Sequence, residues 1–424
     1  MRIYSCKNKL LNNEITEKKI SFVQKAIILL FPFITFLGPY ISFLGINLSN
    51  FLSLLLIFFT VRKFLKRKYK NIKCYIIYFI IMIIYSLSTV IWSNYSSIGL
   101  TIFFPLVTGF IAMAFVASLN KKELEYFVDS ISFLTLFIMI IAINEIIFGE
   151  YVLFNNSDFI DVINKYGFYY PGVAFANPND LAQYLVCTVP LIVLREFDRK
   201  KIIFPVIVIV LTLFILFNTN SRLSIISFTM VLLSYFIFFI PKNKTTLGRD
   251  FFIIIFFCIL INILSVIGVN LNQFGILDNF LLINMSENYF TARSSLYIDA
   301  LNLGLDNFLM GAGLGGSYTV TTIGTHNMFL FIFADLGIMF VLGFSLVLVC
   351  AFLELYKYKK IYILNCHLAS LMLSILVVFP IISSMSSANE QRKIVWIVLG
   401  IIFSVISNYK ELLKDREGKF NNDI

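Results

Sequence analysis

The chain has 424 residues, of which 59% are hydrophobic and only 14% charged, with a mean hydropathy of +0.87. Soluble domains carry about 45–50% apolar and about 25% charged residues, so a water-soluble globule is excluded. The net charge of +10 is not a nucleic-acid signature, because the basic residues cluster between apolar runs, where the positive-inside rule expects cytoplasmic loops.

Runs long enough to cross a bilayer, roughly 17–25 residues each, recur from residue 22 to residue 408. The expected fold is an all-α membrane protein, a polytopic bundle of about twelve transmembrane helices that satisfy their own backbone hydrogen bonds. A cytoplasmic segment, 1–25, comes first, and the long run after it holds Pro32 and Pro39 without a small-x-small cleavage site, so it reads as an uncleaved helix. Within a membrane domain of 26–408, spans are expected near 26–45, 47–61, 74–92, 98–118, 126–148, 180–194, 201–217, 222–240, 250–269, 326–353, 364–384 and 394–408. The first two meet so tightly at Gly45–Asn47 that they could be a hairpin with short arms. A cytoplasmic tail, 409–424, closes the chain.

This layout leaves only Lys165, Arg222, Arg293, Arg392 and Lys393 outside, and therefore 29 of the 34 Lys and Arg residues inside. That split predicts an even number of spans with both termini in the cytoplasm. Two outward segments are long, about 150–179 and about 270–325, the second lying between spans nine and ten. Functional surface is therefore expected to face outward. None of the six cysteines falls in an outward loop, which argues against a disulfide framework, and no Cys/His spacing suggests a metal.

The first outward loop is rich in aromatics, from Tyr151 to Phe175, in the manner of an interfacial belt. Asn177-Pro-Asn-Asp180 then reads as a helix start, with Asn177 as cap, Pro178 at the first position and Asp180 turned toward an outer cavity. Arg222 begins a span, and arginine at that depth is costly unless paired or facing a wet cavity. Its planar fork suits phosphate, although a snorkelling anchor is the plain alternative. Arg293, in the longest outward loop, has the same two readings, with Glu287, Asp299 and Asp306 as ion-pair partners.

Gly311-Ala-Gly-Leu-Gly-Gly316 formally fits GxGxxG but lacks a surrounding strand–helix unit. Backbone N–H groups at Gly313 and Gly315 would approach an anionic ligand, unless the segment is simply a tight loop. His326 stands at the mouth of the tenth span, and imidazole, with an ordinary pKa of about 6.5, suits proton transfer near neutrality. A cap or interface role is its alternative. Asp335, the main charge within the spans, would support His326 from one or more turns deeper, and Glu390 and Arg392 flank the last outward turn. A transporter or lipid-linked sugar flippase would place more ionisable groups at mid-membrane depth.

These residues resemble the O-antigen ligase/polymerase superfamily of bacterial membrane glycosyltransferases, the WaaL-like ligases and Wzy-like polymerases. Asn177-Pro-Asn-Asp-Leu-Ala looks like the family's helix start, and Asn220-Ser-Arg-Leu-Ser like its Ser-Arg signature. Arg293 followed by Asp306-Asn-Phe-Leu-Met-Gly-Ala-Gly-Leu-Gly resembles its Arg…Gly-x-Gly stretch, with Asn307-Phe308 where a proline is usual and Tyr297 as the aromatic. His326, with ten residues between it and Gly337, is similar to the His-x10-Gly motif. The resemblance implies an inverting glycosyltransferase of the bacterial cytoplasmic membrane, without cofactor, metal or nucleotide sugar. Its donor would be an undecaprenyl-pyrophosphate-linked oligosaccharide. Its partners would be a glycan acceptor, membrane lipids and the flippase and chain-length regulator of the same pathway. On that basis His326 and Arg293 are expected to be catalytic. Arg222, Arg293, Gly313 and Gly315 would bind the pyrophosphate, with Asn177, Asp180, Asp335, Glu390 and Arg392 in support. A repeat-unit polymerase is favoured over a ligase that transfers to lipid A–core, a wall polymer or protein.

Overall fold

The computed structural model describes residues 20–37, 42–43, 46–65, 71–150, 170–175, 177–198, 203–219, 221–239, 287–321, 324–361, 366–386 and 391–422. Apart from one very short hairpin, the regular structure of these residues is helical. Helix α1 (Phe22–Leu37) ends before Pro39 and is followed by β1 (Ser42–Phe43) and β2 (Ile46–Asn47), paired antiparallel with Ser42 opposite Asn47. Then come α2 (Leu48–Leu65), α3 (Lys73–Thr89), α4 (Ser96–Ala117), α5 (Lys121–Phe148), α6 (Pro178–Asp198), α7 (Ile203–Asn218) and α8 (Arg222–Phe239). The second part holds α9 (Glu287–Asp306), α10 (Ser317–Thr321), α11 (Met328–Leu336), α12 (Ile338–Ile361), α13 (Cys366–Ile382) and α14 (Lys393–Asn422).

Helices stand at the expected spans except 250–269, which lies outside the described residues. Among the described residues, four segments are long and apolar enough to cross a membrane: Ser96–Ala117, Lys121–Phe148, Ile338–Lys357 and Lys393–Glu411. Shorter apolar helices accompany them, such as Ile203–Asn218. At 1.5 Å per residue, such a 16-residue helix covers about 24 Å of a hydrocarbon core of roughly 30 Å.

Three expectations are corrected. The first span stops at Leu37, and a strand hairpin rather than a continuous helix carries the chain to α2. The outward loop expected over 270–325 contains the 20-residue helix α9. The tenth span is broken at Gly337 into α11 and α12. Gly337 has φ +86°, and a Cβ there would sit 2.9 Å from the Gly311 amide, so the break needs glycine both for its dihedral and for its space. The turn after α9 occupies that space, and the Ile338 amide donates to the Phe308 carbonyl at 3.0 Å.

In lipid the hydrophobic effect does not drive helices together, so close packing through small residues does. Helices α4 and α14 illustrate it. Gly109 faces the fully buried Trp396, Gly400 faces the Met113 carbonyl, and the Ser404 hydroxyl donates to the Leu119 carbonyl at 2.8 Å. Residue numbers rise together along both helices, which therefore run parallel. A side chain at Gly109 would overlap the Trp396 ring. Gly109→Val should thus cost about 1–3 kcal/mol of overpacking, read as a lowered unfolding midpoint of the detergent-solubilised protein. An unchanged midpoint would mean that the pair separates here freely.

Polar side chains gather at the two ends of the bundle. At the end where α5 begins, Asn120 and Glu123 form a capping box, and Glu123 also takes Lys63 at 2.9 Å and Gln24. Arg195 pairs with Asp129 at 2.7 Å and Lys410 with Glu354 at 2.6 Å at the same end. The opposite end, where α6 begins, carries the candidate site.

Candidate functional site

Asn177 accepts a hydrogen bond from the Asn179 amide at 2.8 Å, with Pro178 as the first helical residue, so α6 starts as its sequence predicts. The cap delivers Asp180 into the protein, where it is 3% exposed. One Asp180 oxygen accepts from the Ser386 hydroxyl, and the other lies 2.7 Å from the Arg392 guanidinium. One turn further along α6, Gln183 donates to the Ile382 carbonyl at 2.7 Å. The start of α6, the end of α13 and the start of α14 are thereby tied together.

The serine turn after α13 also holds His326 and Asn327. The Ser383 carbonyl accepts from the Met328 amide at 3.0 Å, and Asn327 donates to the Ser384 hydroxyl at 2.9 Å. Asn327 is the cap of α11 and accepts from the Phe329 and Leu330 amides at 2.8 and 3.1 Å. His326 precedes the cap rather than serving as one. It is buried, 8% exposed, at φ +49°, a left-handed conformation uncommon outside glycine and strained when it occurs. On the other side Gln391 donates to the Tyr318 hydroxyl at 3.0 Å. Hydrogen bonds and neighbouring residues thus link Asp180 to His326 through the serines, while Gln391 joins the start of α14 to Tyr318 of α10.

Arg222 is placed by helix register. Tyr235, late in α8, bonds His367, early in α13, at 3.0 Å, and the two helices pack together, so they run antiparallel. Counting 13 residues back from Tyr235 reaches Arg222, and 13 forward from His367 reaches Pro380, about 20 Å away in each case. Arg222 therefore sits at the level of the turn that holds His326. The Arg293 backbone lies within α9, whose later residue Gly304 packs on Phe333 of α11. The Arg293 side chain, Glu390 and Asn220 lie outside the described residues.

Gly313 and Gly315 do something other than face an anion. The Gly315 and Ser317 amides donate to the two carboxylate oxygens of Asp335 at 2.8 and 2.7 Å, and the Gly313 amide donates to the Asp335 carbonyl at 3.1 Å. The Leu314 amide donates to the Thr89 hydroxyl at 2.9 Å, and its carbonyl accepts from Ser93 at 2.9 Å. A Cβ on Gly313 would reach the Thr89 carbonyl at 2.7 Å, and one on Gly315 the Gly99 amide at 2.8 Å. The segment is a tight loop wedged between the α3–α4 turn and α11, and Asp335 is the carboxylate it wraps. The expectation that these amides bind pyrophosphate meets amides already engaged. Asp335 has a role in the loop, whereas its expected support of His326 would be a separate one.

Glu145, which the sequence reading did not single out, repeats the device. Fully buried in α5, it accepts from the Gly172 and Val173 amides at 3.1 and 2.8 Å, pinning Val173 at φ +53°. Its signal was a lone carboxylate inside an apolar run. The run Ser383-Ser384-Met385-Ser386 at the end of a span was a similar unread signal.

Beside Asp180 and Arg392 lies a cavity of ≈ 330 Å³, lined also by Asn47, Asn50, Phe175, Gln183 and Lys393. A smaller cavity of ≈ 180 Å³ lies at the opposite end, among Lys121, Asp129, Arg195 and His367. His326 and Arg222 line neither of these two. Among the described residues, no three His, Cys, Asp or Glu side chains gather where a metal could be held.

No curated protein matches the chain. Residues 207–347 match the family model described as O-antigen ligase. That segment holds Arg222, Arg293, the glycine loop, His326 and Asp335, and leaves out Asp180 and Arg392. Motifs and match agree over this segment, and there the chain is similar to the O-antigen ligase family.

Proposed function

We propose that the protein is a glycosyltransferase of the bacterial cytoplasmic membrane that polymerises undecaprenyl-pyrophosphate-linked repeat units into a surface polysaccharide. The observation that carries the reading is His326, buried in a strained conformation at the mouth of α11, inside the family-matched segment and level with Arg222. Strained backbone persists where surrounding structure over-determines it, and such places cluster at functional sites.

In this reading about twelve spans cross the membrane with both termini inside, and residues 150–179 and 270–325 face outward. The Asp180 end is the outer one, and 1–25 and 409–424 are cytoplasmic. Arg222 and Arg293 hold the pyrophosphate, with Asp180, Arg392, Asn177 and Glu390 shaping the surroundings. The acceptor hydroxyl gives its proton to His326 as its oxygen bonds to the anomeric carbon. The bond from that carbon to the pyrophosphate oxygen breaks, the lipid pyrophosphate leaves, and the anomeric centre inverts. Flippase and chain-length regulator act on the same lipid-linked substrate.

A ligase would use the same chemistry on a different acceptor. Deletion of the gene separates the two. Loss of long glycan ladders with single repeat units still attached to the final acceptor is the expected result. Loss of every attached unit, with long chains still made on lipid, would reassign the protein as the ligase.

A further inference from the structure

Arg392, just before α14, and Lys393, its first residue, are two cations at a helix end whose dipole favours anions. Asp180 answers Arg392 at 2.7 Å. Among the described residues Lys393 has no such answer: its Nζ is buried without a hydrogen-bond partner, and the residue lines the ≈ 330 Å³ cavity. A buried charge without a partner is expensive, and a ligand that brings a counter-charge removes the expense.

The rest of the lining suits a sugar better than a bare anion. Phe36, Phe175 and Tyr184 form one wall, with ring centroids 5.3 Å apart for Phe36–Phe175 and 5.4 Å for Phe175–Tyr184. The side-chain amides of Asn47 and Asn50 and the hydroxyls of Thr35 and Ser49 offer donors and acceptors for ring hydroxyls. The volume is at the small end of the roughly 300–1,000 Å³ of small-molecule sites. We propose that this cavity is a subsite for an acidic sugar residue, with its carboxylate or phosphate seated on Lys393 and its ring against the Phe36–Phe175–Tyr184 wall. The inference rests on the glycan-transfer reading and names its substrate class: a repeat unit that carries an anionic sugar.

The test is equilibrium binding to the full-length protein in nanodiscs, with glucuronate, glucose 6-phosphate, glucose and inorganic phosphate as probes. One of the two acidic sugars should bind at least about tenfold tighter than glucose and than inorganic phosphate, and which one does tells carboxylate from phosphate. Lys393→Gln should weaken that sugar by about 10–100-fold, the range for losing a charged hydrogen bond, and leave glucose unchanged. Asn47→Ala, at an exposed position, should weaken acidic and neutral sugars alike, and it serves if Lys393→Gln does not fold. Equal binding of glucose and both acidic sugars, binding of inorganic phosphate as tight as theirs, or a preference that survives in Lys393→Gln would overturn the subsite. No turnover is involved, so failure of the transferase reading registers separately, as no consumption of lipid-linked glycan by the wild-type protein.

Discussion

His326→Asn should lower turnover of lipid-linked repeat units by roughly 10²–10⁴-fold, the usual contribution of a positioned general acid–base group. It should do so with little change in stability. Asparagine tolerates the left-handed conformation that His326 adopts at φ +49°. Neighbouring residues carry bonds that fix the turn: Asn327 caps α11 and reaches Ser384, and the Met328 amide reaches the Ser383 carbonyl. Alanine would be a poorer probe, because its own left-handed strain, of order 1 kcal/mol, would mix with the lost chemistry. Chain extension by the purified protein gives kcat and KM, and thermal unfolding gives the stability control. A fall in kcat at nearly constant KM is the signature of a group used in the transition state. Turnover within about threefold of wild type would remove His326 from the proton-transfer role.

Asp335→Ala should be the most destabilising single change at the candidate site. The carboxylate is fully buried and takes the Gly315 amide at 2.8 Å and the Ser317 amide at 2.7 Å. Hydrogen bonds to charged groups are worth about 1.5–3 kcal/mol each, so losing both costs roughly 3–6 kcal/mol. The loop then loses its grip on α11, and through Tyr318 and Gln391 the disturbance reaches Arg392. Expected readouts are a large drop in the unfolding midpoint and loss of activity together. Asp335→Asn keeps one acceptor oxygen and should lie between the two. A normal midpoint with abolished activity in both variants would instead give Asp335 a direct role in transfer.

Several local features were legible in the sequence for identifiable reasons. Asn177-Pro178 names a helix start because a cap oxygen and a residue without an N–H suit the first turn, and the structure has that start. Gly337 was legible only as part of a motif. Its dihedral and its contact with the turn after α9 made it a helix break, which a hydropathy run crossing it does not reveal. Glycine in Gly313 and Gly315 was read as access for a ligand, but the same freedom serves equally to let two backbones touch. Which of the two applies depends on what lies opposite, and here it is the α3–α4 turn and Asp335.

By itself the sequence determined the class of the molecule, a helical membrane protein, and the motifs by which residues 207–347 resemble the O-antigen ligase family, since both depend on local pattern and composition. Only the tertiary structure decided which polar groups meet. Asp180 and Ser386 are 206 residues apart, and no periodicity links them. Nor does any local pattern tell that the carboxylates of Glu145 and Asp335 take backbone amides, while the Lys393 amine is left without a hydrogen-bond partner among the described residues. Hydropathy registers the presence of a charge in an apolar run. The partner that makes the charge tolerable comes from another part of the chain, and folding alone brings it there.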